Sequence, residues 1–100
     1  MTQHAFPVID CDLHTIEPVD IWHRYLEKRY HERIPALGIE RWSSGRRYDA
    51  QSHLQAMDVE GITVAVVFGT HGRHVQMQDD LDPFFAAALA RAHNRWTSDY

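Results

Sequence analysis

Asp10, Asp12 and His14 stand at every second position of "VIDCDLHTIEP" (residues 8–18), and Glu17 follows three residues later. Side chains two apart on a strand share a face. Two carboxylates and an imidazole would then line one side, with Ile9, Cys11 and Leu13 on the other. An imidazole nitrogen and a carboxylate oxygen are both good donors to a divalent cation, and from the end of one strand both can reach one ion. Asp12 and His14 are therefore the candidate metal pair, with Asp10 and Glu17 as further donors or hydrogen-bonding supports. A second polar stretch, "GTHGRH" (69–74), follows an apolar run and offers His71 and Arg73 to a substrate carboxylate, with His74 a weaker candidate. No catalytic side chain is assigned.

A D-x-H spacing arises often by chance, so its context matters. Unpaired charge facing the inside of a closed sheet is expensive, and a strand end leading into a helix is where α/β proteins place their sites. The elements predicted around these residues alternate. A strand is expected over roughly residues 6–12. Apolar residues at 22, 25, 26, 30 and 34 then have helical spacing. Pro18 suits that helix's first turn, Asp20 its positive end, and Pro35 its stop. Residues 36–48 lack a period and read as loop. Asp49 is a plausible N-cap for the next helix and Gly61 its C-cap. "ITVAVVF" (62–68) is a β-branched run of the kind buried on both faces of a parallel sheet. After a loop, Asp82 caps a last helix with Pro83 at its first position and a stripe of Phe85, Leu89, Ala92 and Trp96.

The fold class is α/β, with parallel pairing through right-handed crossovers. Two parallel strands do not make a stable domain by themselves, so the 100 residues read as an unfinished unit. Of the eight histidines, His23, His31, His53 and His93 fall within helical patterns and read as surface or packing residues, and His4 as part of a terminus. Cys11, on the expected apolar face, reads as buried and inert.

Composition excludes some classes. The formal charge of −4 argues against non-specific nucleic-acid binding, and the densest basic spot, "SSGRRY" (43–48), reads as a solvated loop. A single cysteine excludes an internal disulfide framework. The first residues lack the features of a signal peptide, and no apolar run has transmembrane length. A soluble cytoplasmic protein is expected.

"VIDCDLHTIEPVDIWHRYLEKRY" resembles the opening of the amidohydrolase-related family, which includes aminocarboxymuconate-semialdehyde decarboxylase and γ-resorcylate decarboxylase. Its I-D-x-D-x-H-x-x-E-P and W-x-x-Y-L patterns are both present. "LQAMDVEGITVAVVFGT" resembles the M-D-x-x-G-I-x-x-A-V segment, and "ALARAHNRWTSDY" the A-x-N-x-W helix, in which Asn94 and Trp96 read as architecture. The resemblance implies the first βα units of a (β/α)₈ TIM barrel, incomplete in this chain. It also implies one metal ion at the C-terminal mouth, held in part by Asp12 and His14. Zinc is the family default, and Asp at the first place also suits manganese or iron. The family's remaining ligands come from later strands.

The implied chemistry is hydrolysis of a C–N or C–C bond, or non-oxidative decarboxylation, of a small molecule. The barrel would be completed by a larger chain or a homo-oligomer. Two other functions fit the same sequence: an inactive fragment serving as a binding or regulatory module, and an iron-dependent oxygenase on the same barrel.

Overall fold

The computed structural model describes residues 5–38 and 49–100. Along the chain come β1 (Ile9–His14), α1 (Ile21–Tyr25), a 3₁₀ segment (Lys28–Leu37), α2 (Ala50–Glu60), β2 (Val64–Phe68), α3 (His71–Gln76) and α4 (Pro83–Asp99). The architecture is mixed α/β, with β1 and β2 paired in parallel. "SSGRRY", His4 and most of the expected 36–48 loop lie outside the described residues.

The register departs from simple alternation. Ile9 pairs with Val64 and Asp10 with Ala65, but Leu13 pairs with Val67 and His14 with Phe68. Cys11 and Asp12 together therefore stand opposite the single Val66, which is a β-bulge. A one-residue offset moves every following side chain to the other face. Asp12 and His14 keep the face of Ile9, Val64, Val66 and Phe68. Asp10 turns instead to the face of Leu13, Ala65 and Val67, so the expected row of three ionisable groups is a row of two. Cys11 is exposed rather than buried, for the same reason.

Local signals hold where they depend only on neighbours. The Asp49 carboxylate accepts the Ser52 N–H at 2.8 Å, and Gly61 ends α2 with φ 74°, a left-handed conformation that favours glycine. The Asp82 carboxylate accepts the Phe85 N–H at 2.9 Å, with Pro83 opening α4.

The helix expected from Pro18 to Pro35 does not form as one piece. Leu26 and Glu27 are extended, with ψ of 141° and 136°. Tertiary contacts hold that break. Glu27 is bound by Arg29 at 2.8 Å and by Arg91 of α4 at 2.6 Å. His31 Nε2–H donates to the Leu26 carbonyl at 2.9 Å. Asp20 stands at the N-cap of α1 but makes no side-chain cap bond. Beyond the break the chain winds as 3₁₀ turns that run through Pro35 to Leu37.

The core is built by helical segments alone. Ile21, Trp22 and Leu26 from α1 and its end meet Ile34 and Leu37 of the 3₁₀ segment, Val75 of α3, and Phe85, Ala88, Leu89, Ala92 and Trp96 of α4. All four members of the stripe expected on α4 are buried. No strand residue joins this core. Ile9, Val64, Val66 and Phe68 are 59, 49, 45 and 47% exposed, so the face they share is open among the described residues. The opposite face borders an apolar groove whose far wall includes Leu54 and Met57 of α2 and Tyr100.

Candidate functional site

At the C-terminal end of β1, His14 Nε2 lies 3.1 Å from Asp12 Oδ1. The distance is that of a hydrogen bond from the His14 Nε2–H to the Asp12 carboxylate, and it is close to the roughly 3.3 Å between two atoms bound to one tetrahedral zinc at ~2.0–2.1 Å. Their nitrogen and oxygen chemistry fits zinc, manganese or iron. Both are accessible, the side chains 41% (His14) and 81% (Asp12) exposed. They line an open cleft of about 430 Å³ with Phe68, Gly69 and Arg73. The Phe68 ring stands 5.9 Å from the His14 ring, and Arg73 supplies the cleft's cation. Among the described residues, no cluster of three or more His, Cys, Asp or Glu side chains is placed to hold a metal.

The other candidates lie apart from the pair. From the opposite face, Asp10 accepts the Asp12 N–H through Oδ1 at 2.9 Å, so it supports the strand's main chain. Glu17 is not a donor to the cleft; its side chain is fully buried. Its Oε1 accepts the N–H groups of Thr70 at 2.8 Å and His71 at 3.1 Å. Its Oε2 accepts the Gly72 N–H and His93 Nε2–H, the latter at 3.1 Å. Such a carboxylate has no oxygen to spare for a metal. The His71 ring is buried, 5% exposed, rather than presented to substrate. His74 is exposed on α3, a helix that stands where a loop was expected.

Glu17 is the structural centre of this end of the molecule. Burial works to raise its pKa. The bonds from His93 and from the Thr70 and Gly72 N–H groups outweigh burial and lower it from 4.5 to about 2. The turn it grips is closely packed: a Cβ at Gly69 would come within 2.8 Å of His93, and one at Gly72 would overlap the same ring. Glycine is needed there for close approach. Thr70 extends the connection. Its hydroxyl donates to the Thr15 carbonyl at 2.7 Å, and the Thr15 N–H donates to the Phe68 carbonyl at 2.9 Å.

His93 is the residue that sequence reasoning assigned to packing. A signal for it exists. Position 93 falls on the same helical face as Leu89, Ala92 and Trp96, and a histidine on a buried face needs a polar partner.

No protein-family model matches this chain, and no curated protein matches it. No helix among the described residues is long and apolar enough to cross a membrane.

Proposed function

We propose that this chain forms the first βα units of a metal-dependent barrel of the amidohydrolase-related type. In this reading Asp12 and His14 are the strand-one ligands of one divalent ion, zinc first and manganese or iron as alternatives. The observation that carries it is the 3.1 Å separation of Asp12 Oδ1 and His14 Nε2 at the mouth of a cleft. The open face of Ile9, Val64, Val66 and Phe68 supports the barrel, because in a closed barrel that face is lined by residues from further strands. In this reading those strands, and the remaining ligands, lie outside these 100 residues, and the assembled protein is cytoplasmic.

Such an ion polarises a carbonyl or carboxyl group or activates a water. Arg73 meets a substrate carboxylate by charge-assisted hydrogen bonds, while Phe68 gives the substrate an apolar wall. The reaction class is hydrolysis or non-oxidative decarboxylation of a small acid. Asp10 and Glu17 act on the framework and not on the substrate.

Native mass spectrometry of the purified protein, repeated with His14→Ala, tests the proposal. The expected spectrum shows a larger partner and at least one metal ion, with the metal lost in the variant. Metal content unchanged by His14→Ala would overturn the assignment. A partnered but metal-free protein would replace it with a binding module.

A further inference from the structure

Helix α3 forms where its own residues give little reason for one. It has six residues, and its glycine, two histidines and valine are weak helix formers. A helix that short is marginal in water by itself. Thr70 stands at its N-cap but makes no cap bond, because its hydroxyl donates to the Thr15 carbonyl. The missing cap is supplied from 53 residues away. Glu17 accepts the N–H groups of Thr70, His71 and Gly72, donors of the kind that a helix start leaves without partners.

His93 holds Glu17 in turn. An ionised carboxylate can only accept, so His93 Nε2, at 3.1 Å, is the donor. The His93 ring is fixed on α4, edge-on to Trp96 with centroids 5.6 Å apart. On the other side of the cap is Arg73. Its guanidinium lines the cleft and makes no hydrogen bond or ion pair among the described residues. The turn from Thr70 to His74, closed by the His74 N–H on the Thr70 carbonyl at 3.4 Å, is therefore what places it there. Val75 anchors the following turn in the core and leaves this one to Glu17.

We infer that His93 is a positioning residue: through Glu17 it holds the first turn of α3 wound and so places Arg73 at the cleft. The carboxylate affinity of Arg73 rests on the function proposed above; the dependence of α3 on His93 does not.

Amide exchange in the full chain measures how often the turn opens, at Gly72, which donates to Glu17, and at His74. His93→Leu removes a hydrogen bond to a charged group, so both amides should exchange about 10–100-fold faster. His93→Gln keeps a donor and should restore most of the protection. Gly72→Ala separates the cap from intrinsic propensity. Alanine is the better helix former, yet its methyl would meet the His93 ring and the Glu17 carboxylate. Faster exchange at His74 is expected there too. In a second arm, benzoate is titrated against the Arg73 side-chain signals. Its affinity should fall as the closed fraction of the turn falls.

Unchanged exchange at His74 in His93→Leu, or slower exchange in Gly72→Ala, overturns the inference. So does a turn that opens as often in His93→Gln as in His93→Leu, since the ring would then act by packing alone. Should His93→Leu unfold throughout, the sign of the Gly72→Ala effect decides. Benzoate affinity unchanged in a variant whose turn is largely open overturns the placement of Arg73. A chain that binds no benzoate in any form but opens as described supports His93 as the positioning residue and overturns the carboxylate role of Arg73.

Discussion

The helical side of the molecule and its two-stranded sheet obey the same chemistry with opposite outcomes. Trp22, Ile21 and Leu89 are fully buried, while Val64, Val66 and Phe68, as apolar or more so, remain about half exposed. Apolar area stabilises a fold only when something covers it. Helices α1, α3 and α4 and the 3₁₀ segment cover one another, whereas β1 and β2 pair only with each other among the described residues and leave the face of Ile9, Val64, Val66 and Phe68 open. The contrast separates the part of the molecule whose apolar surface is covered from the part whose apolar face is open among the described residues. The candidate ligands sit on the second part, and Glu17 ties it to the first.

Four measurements would break or sharpen that contrast. The largest effect is expected at Trp22, fully buried among the helices. Trp22→Ala should cost about 3–5 kcal/mol in urea unfolding, and a loss below 1 kcal/mol would mean that the helical core is not what holds the chain together. Next comes the junction. Because the folded-state pKa of Glu17 is lowered from 4.5 to about 2, its contribution is fully present above the unfolded value. It is lost as pH falls from 4.5 through about 2. The size is on the order of 3 kcal/mol. Unfolding midpoints measured across that range should fall with acid in the unsubstituted chain and much less so in Glu17→Gln.

The two capped helices provide a smaller comparison. Asp82→Ala should cost about 1 kcal/mol, since α4 carries five core residues and Arg33 also binds Asp82 at 2.7 Å. Asp49→Ala removes the same kind of cap from α2, which buries no residue. Its effect should appear as faster amide exchange confined to α2, with global stability nearly unchanged. Equal global losses would show α2 to be part of the cooperative unit. Smallest of all, Val66→Ser on the open face should change stability by less than about 0.5 kcal/mol in the chain alone. A cost of several times that would mean the face is covered.

What could be read from the sequence follows the same division between near and far. Asp49, Gly61, Asp82 and Pro83 act on the next turn of chain, and the stripe of Phe85, Leu89, Ala92 and Trp96 repeats within one helix. All of these were legible. The break at Leu26–Glu27 was not, because Arg91, far along the chain, holds Glu27 there. The grouping of Asp12 with His14 was visible in their spacing. The bulge that sends Asp10 to the opposite face is a property of pairing with β2, which alternation along a single strand cannot reveal. His93 and Glu17 each look ordinary in their own segments. Only the fold brings them to 3.1 Å.

That last contact has a consequence for how the chain is made. Glu17 finds its partners 53, 54, 55 and 76 residues further along. During synthesis, at about 5–20 residues per second, its carboxylate waits in water for seconds while β2, the following turn and α4 are produced. Burying it before the Thr70, His71 and Gly72 N–H groups are made would leave a charge without donors, which is strongly unfavourable. The full set of contacts that ties the end of β1 to α4 through Glu17 therefore forms only once His93 has been made.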